Sequence, residues 1–336
     1  MAGAVFLLEN KMTERKPRLM IVDGNNNYLR AFIVNPTIST NGDPIGGITG
    51  TIKILQKLSR EIQPDRIVVC WDGAGGSQKR KSIVKEYKDG RSPLRLNRNI
   101  DNLTDNEKLK NQVWQMIRLM DYLNDLPIIQ LMFEGVEADD IISHVATHPL
   151  HSEYNKIIVS NDKDFLQLCS DDTILYRPVK EQFVNLKNVI DEYGIHPNNF
   201  ALSRAIAGDK SDNLSGVEGV GLKTLIKNVP ILSESKFVTI NDMMSYCSNI
   251  QSPSKAVTAI LNSKNVIEKN YSIMQLYSPS LSVQTAQKVA YTIENTECKF
   301  EKTEFLKKMK QDGWDDFNTS DLFMICRNIV KNNCKD

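Results

Sequence analysis

The sequence predicts an α/β protein: a central, mostly parallel sheet flanked by helices, followed by an all-helical region. Three observations carry this. From Arg18 to about Leu175, short β-branched runs alternate with helical stretches, as a parallel sheet with crossover helices requires. Four segments bring such runs to carboxylates: RLMIVDGNN to Asp23, RIVVCWDG to Asp72, FEGVEADD to Glu137, Asp139 and Asp140, and IIVSNDKDFLQL to Asp162 and Asp164. After Ile195 the strand signals fade and a glycine-punctuated segment appears.

Taken in order, strands are expected near 18 to 23, 66 to 71, 127 to 132, 156 to 160 and 173 to 176. Helices fit 47 to 62, 105 to 125, 137 to 147 and 162 to 169. The stretch from 73 to about 104 lacks core periodicity, is rich in Gly, Ser, Lys and Arg, and is too long for an ordinary connection. Beyond a boundary near 190 to 196, amphipathic helices are expected at 235 to 247, 254 to 268, 283 to 294, 302 to 311 and 319 to 332. The organisation that follows is a flexible extension over 1–16, an α/β domain over 17–195 and a helical domain over 196–336.

At 336 residues the chain has room for about two domains. Its six cysteines form no C-x-x-C pair, which suggests a reducing compartment without a zinc site. No apolar run approaches the roughly 20 residues of a membrane span, and no signal peptide is evident, so a cytoplasmic protein without membrane contact is expected. Net charge is only +1. Its distribution says more: between Gln78 and Arg98 stand eight basic residues (Lys79, Arg80, Lys81, Lys85, Lys88, Arg91, Arg95, Arg98) against Glu86 and Asp89.

Open α/β sheets assemble their sites at the carboxyl ends of their strands. Carboxylates delivered there from several strands repel one another unless cations occupy the pocket, and hard oxygen ligands suit magnesium or manganese. A basic neighbour would suit flanking phosphates of a polyanion. A lone Asp after a strand is also an N-cap, which Asp162 or Asp139 would serve. In the helix expected from 137, Glu137 and Asp140 share a face while Asp139 points away unless the first turn is irregular.

Residues 205 to 228, AIAGDKSDNLSGVEGVGLKTLIKN, hold the second informative pattern. Gly216, Gly219 and Gly221 allow a tight hairpin between helices and leave backbone N–H groups open to phosphate oxygens, a contact indifferent to base sequence. His144, His148 and His151 are not read as a metal site, since Pro149 interrupts their helix, no cysteine or further histidine joins them, and magnesium chemistry does not favour imidazole. Trp71, Trp114 and Trp314 are read as core.

The ordered set IVDGNN, VVCWDG, EGVEADD, VSNDKDFLQL and GDKSDNLSGVEGVGLKT, spanning 18 to about 228, resembles the 5′ nuclease family. That family includes the 5′ to 3′ exonuclease domain of bacterial DNA polymerase I, phage 5′ exonucleases, T-even-type phage ribonuclease H and flap endonucleases. With no polymerase region by residue 336, the stand-alone phage type is the nearer match. The resemblance implies a PIN-like sheet and a helix-hairpin-helix (helix-three-turn-helix) near 213–228. It implies a two-metal phosphodiester hydrolase leaving 5′-phosphates, with Asp23, Asp72, Glu137 and Asp139 at the first ion and Asp140 adjacent, and Asp162, Asp164 and Asp209 at the second with Asp212 supporting it. The ions would be Mg2+, with Mn2+ able to substitute, and K+ would sit at the hairpin.

By the same resemblance the basic segment near 73–104 is a helical arch. EYKDGR matches its Y-K-x-x-R element, so Lys88 and Arg91, with Arg80 or Lys81, would bind the scissile phosphate, and Tyr87 would stack on a base or pack. Lys223 and Thr224, with Gly216, Gly219 and Gly221, would hold duplex. Expected partners are DNA and RNA/DNA hybrid with 5′ ends or flaps, with a sliding clamp or single-strand-binding protein in replication, and the chain is expected as a monomer. Three other classes fit less well. A non-catalytic junction binder would lack carboxylates, a haloacid dehalogenase phosphatase needs D-x-D where Asp23 is followed by Gly24 and Asn25, and a toxin-type PIN ribonuclease is shorter and has no hairpin motif.

Overall fold

A computed structural model describes residues 15–89 and 103–333. The expected extension up to residue 14, the cations Arg91, Arg95 and Arg98, and Cys334 lie outside the described residues.

The chain opens with β1 (Arg18–Asp23), α1 (Gly24–Val34), α2 (Gly46–Ile62), β2 (Arg66–Trp71), α3 (Gln78–Ile83), α4 (Asp105–Asn124) and β3 (Ile129–Met132). It continues with α5 (Ala138–Thr147), β4 (Asn155–Val159), β5 (Thr173–Arg177), β6 (Gln182–Val184), α6 (Leu186–Tyr193) and α7 (Phe200–Ala207). These strands form one sheet in the order β3-β2-β1-β4-β5-β6. The first five run parallel and β6 pairs antiparallel with β5. Strand order reverses between β1 and β4, so the crevice where an open α/β sheet binds ligands lies at the ends of those two strands.

Both faces of the sheet are covered, as a parallel sheet demands. Met20 and Val22 of β1 face a layer containing Tyr28, Ile52, Leu55, Leu119 and Tyr122. Leu19 and Ile21 face one containing Ile141, Ile142, Val145, Phe165 and Phe200. Five strands lie within two residues of their expected bounds, because uninterrupted β-branched runs leave little choice of conformation.

Other expectations need correction. Helix α1 follows Asp23 directly and was not foreseen, because polar GNNN hides its start; Asp23 caps it by accepting from Asn26 N at 3.0 Å. Strand β6 was missed as too short and too exposed. Residues 163 to 168 form a 3-10 turn instead of an α-helix. The single helix expected at 254 to 268 is two, α10 (Lys255–Asn262) and α11 (Lys264–Met274), broken at Ser263.

Between α7 and α11 lie a two-residue ladder, β7 (Gly208–Asp209) with β8 (Leu214–Ser215), then α8 (Leu222–Asn228) and α9 (Ile240–Ser248). They gather a third core that includes Leu202, Leu214, Val217, Val220 and Ile260, and also Val84 and Tyr87 from beyond α3. The last helices, α12 (Val283–Asn295), α13 (Lys302–Gln311) and α14 (Ser320–Asn333), return to the sheet. Phe305, Trp314 and Phe323 are buried in the layer that covers Met20 and Val22, with Phe305 and Trp314 edge-on to Tyr122 at 5.2 and 5.8 Å. At the opposite end of β1 from Asp23, the Asp65 carboxylate accepts from Arg18 N, from Arg15 and from Asn332 of α14, at 2.8, 2.9 and 3.0 Å. No described helix is long and apolar enough to cross a membrane.

Candidate metal-dependent nuclease site

The carboxylates converge at the crevice. Asp23 ends β1, and besides capping α1 it accepts from Ser160 Oγ at 2.8 Å, just beyond β4. Asp72 follows β2, and one of its oxygens accepts from Ala138 N at 2.8 Å, so it caps α5 from a neighbouring strand. Asp162 follows β4 and accepts from Asp164 N at 2.8 Å. Glu137 has extended backbone and lies just outside α5, so the helical-face argument does not apply to it. The irregular start also meets the condition under which Asp139 can turn inward. Its charge acts on Asp23, Asp162 and Asp164, which places it toward the cluster, whereas Asp140 accepts from Ser280 N at 2.8 Å and pairs with Arg80.

Protonation reports crowding. Burial, then the charge of Asp139, pushes the Asp23 carboxyl up to about 7. Burial, with Asp164 and Asp139 alongside, holds Asp162 well above the carboxylate range. Asp164 is raised by burial to about 6 even though Arg204 pulls it down, and Asp139 is raised by burial against the opposing pull of Lys88 and Arg80. Burial also works against Asp209, but hydrogen bonds from Ser211 and the Arg204 guanidinium hold it below the ordinary value. Clustered acids kept from water in this way favour cations among them.

Three protein cations supply part of that charge. Arg80 forms a close pair with Glu137 and reaches Asp140 at 3.2 Å; Lys88 Nζ lies 2.8 Å from Glu137; Arg204 bridges Asp164, at 3.1 Å, and Asp209 in a close pair. Among the described residues, no three acidic, histidine or cysteine side chains already stand as one ready-made ion site. The donor set is nonetheless all hard oxygen, densely charged and under-compensated, which fits divalent cations of the magnesium type.

Two expected roles change on burial grounds. Arg80 is buried, paired with two carboxylates and donating to Ile273 O at 3.1 Å, so it acts as a fixed strut and is not open to a phosphate. Tyr87 is 3 % exposed in the third core, so its ring packs and is not available to a base. Lys81 pairs with Asp89 at 2.9 Å on the surface. Arg204 was missed: its position five before Asp209, in an apolar helix, carries no motif that sequence alone reveals. Trp114 is partly exposed and lines an open cleft with Lys110 and Asp312, contrary to the core role expected of it. His148 accepts from Leu150 N, and His151 Nδ1 lies 2.8 Å from Val145 O, so both serve the turn after α5.

The glycine hairpin follows Asp209 and Asp212 within a few residues. A Cβ on Gly216 would lie 2.3 Å from the carbonyl carbon of Ala207, so only glycine lets the hairpin approach the end of α7. Gly219 has φ +72°, and around both it and Gly221 the space for a Cβ is open. Lys223 beside them is exposed.

Residues 18–194 match the family model described as 5′-3′ exonuclease, N-terminal resolvase-like domain. The chain belongs to the 5′-3′ exonuclease family. As a 5′ nuclease it is an enzyme, and a non-catalytic junction binder is not favoured. It is 29% identical to a 5′-3′ exonuclease of Buchnera aphidicola over 310 residues, covering 91% of this chain and 99% of that protein. It is 32% identical to DNA polymerase I of Caldicellulosiruptor bescii over 217 residues, 62% of this chain but only 24% of the polymerase. The fold matches the bacteriophage T5 flap endonuclease, solved as a pseudo-enzyme–product complex with DNA and metal ions, with a TM-score of 0.61 at 18% identity over 89% of this chain and 100% of that one.

Proposed function

We propose that this protein is a structure-specific 5′ nuclease that depends on two magnesium ions, manganese substituting, and acts on DNA or RNA/DNA hybrid carrying 5′ ends or flaps. The observation that carries this is the crowding of Asp23, Asp139, Asp162 and Asp164, raised by burial and by one another and joined through Arg204 to Asp209, which lies a few residues of chain from a glycine hairpin with open space around Gly219 and Gly221. Asp23, Asp72, Glu137 and Asp139 would hold one ion, with Asp140 adjacent on Arg80 and Ser280, and Asp162, Asp164 and Asp209 the other, with Asp212 supporting it. Bound there, the ions would supply an activated water and charge stabilisation of the leaving oxygen.

The chain's own groups do the rest. Lys88, on the partly exposed foot of the basic segment, would exchange Glu137 for a phosphate oxygen; by the family resemblance Arg91, which lies outside the described residues, would bind the same phosphate. Arg204 holds Asp164 and Asp209 at a fixed separation. The amides of Gly219 and Gly221, with Lys223 and Thr224, would grip the duplex backbone, with K+ completing that grip, and Gly216 holds the hairpin against α7. Contact through phosphates predicts a steep loss of affinity with salt and little base preference. A replication setting with clamp or single-strand-binding partners, and action as a monomer, complete the proposal.

The test is purified protein on 5′-labelled flap, nicked and RNA/DNA hybrid substrates with Mg2+ or EDTA, beside Asp162→Ala. Cleavage requiring Mg2+ and lost in the variant is expected; cleavage that survives either treatment overturns the two-metal assignment.

A further inference from the structure

Two non-glycine residues with left-handed backbone face each other across the site's edge: Lys88 at φ +58° and Asn213 at φ +58°. Such a conformation costs most L-residues about 1 kcal/mol, and asparagine tolerates it best. Two such residues on hydrogen-bonded neighbouring segments point to surroundings that hold both in place. Those surroundings are visible. The Asn213 carboxamide donates to Glu86 O at 3.0 Å and to Asp89 O at 2.5 Å, and Lys88 N donates to Asp212 O at 3.3 Å. Below this seam, Val84 and Tyr87 share a core with Leu214, Val217 and Val220 of the hairpin.

We propose that Asn213 is a positioning residue: its carboxamide clasps the foot of the basic segment, residues 86–89, to the loop that carries Asp209 and Asp212, and thereby sets the Lys88 ammonium at Glu137. The proposal rests on the nuclease assignment above for its kinetic consequence, though not for its structural one. The chemistry is specific to the amide. Both acceptors are backbone carbonyls, so the clasp needs an N–H2 donor, and a carboxylate of the same shape would present oxygen to oxygen. The hairpin begins three residues after Asn213, so a duplex held there is registered against the foot through a short, hydrogen-bonded stretch of chain.

Two substitutions separate the clasp from the backbone. Asn213→Gly keeps the left-handed conformation at no steric cost and removes the donor. Asn213→Asp keeps the shape and tolerates the conformation, and replaces the donor with an anionic oxygen facing the same two carbonyls. In the full-length chain both are expected to lower kcat on a 5′-flap substrate about 10-fold or more while KM stays within about 2-fold, because the duplex grip is intact. Amide hydrogen exchange should accelerate about 10-fold or more at residues 87–89 and stay unchanged at 217–225. The exchange readout needs no activity, so it stands if the wild type proves not to cut, an outcome that would sink the nuclease assignment alone. Should either variant fail to fold by circular dichroism, the other carries the test. Should both fail, slowed exchange of the Lys88 and Asp89 amides in the wild type, comparable with that of Val220, supports the clasp, and exchange at free-loop rates overturns it. Wild-type exchange at 87–89 in both variants, or a loss confined to KM, also overturns it.

Discussion

Arg204 shows how far a single side chain can be decisive without announcing itself. Its guanidinium lies between Asp164 and Asp209, which otherwise face each other across a largely buried gap. Breaking such a pair leaves unpaired buried charge, at a cost on the order of 3 kcal/mol. Arg204→Ala should therefore lower the thermal midpoint of the metal-free protein, with Mn2+ restoring more of the loss than it adds to wild type, as calorimetry would read. Asp23 supplies a second expectation. With a folded value near 7 against an ordinary 3.8, it binds its proton more tightly folded than unfolded. Its ionisation therefore opposes folding above pH 7, and that penalty fades as pH falls toward 4. The midpoint difference between metal-free Asp23→Asn and wild type should be largest at pH 8 and close to nothing near pH 4; a constant difference would contradict the assignment. Most of the carboxylates were legible because each ends or follows a β-branched run. Arg204 was not, because a cation inside an apolar helix has no periodic signature.

At the level of elements, the hairpin glycines do different work although they look alike in sequence. Gly216 lies against backbone and Gly219 opens to solvent with positive φ. Gly216→Ala should overpack the α7 junction and cost about 2 kcal/mol in denaturant unfolding. Gly219→Ala should cost only about 1 kcal/mol from strain but weaken duplex binding disproportionately, as fluorescence anisotropy with a plain duplex would show. Equal effects of both on stability and binding would refute this division. Elements defined by long apolar runs were readable; those defined by hydrogen bonds were not. Helix α1 is started by Asp23 itself, and the 3-10 turn at 163 to 168 by Asp162, so the same carboxylates that mark the site also set local structure in ways a hydrophobic pattern cannot display.

For the molecule as a whole, amphipathic helices at 302 to 311 and 319 to 332 were foreseen, but their destination was not, since periodicity reveals an apolar face and not its partner. They seal the sheet layer that carries β1. Trp314→Ala should consequently destabilise the α/β body by about 4 kcal/mol and not merely loosen a helical appendage. Unfolding followed at the buried Trp71 and by far-ultraviolet dichroism should shift together; a separate, earlier transition of the helical signal would count against it.

The meeting of Arg15, Arg18 and Asn332 at Asp65 carries a topological consequence. The first and last described turns of the chain lie side by side at the pole of the strands away from the acidic crevice. A circularly permuted gene, with residues 15 and 333 joined by a flexible linker and new ends opened in a surface turn such as that at Glu181, should still yield a folded protein with its crevice unobstructed. Comparison of the permutant's dichroism and thermal midpoint with those of the parent reads this directly. The same pole is the place to anchor the molecule on a surface or attach a reporter while leaving the route to the carboxylates clear.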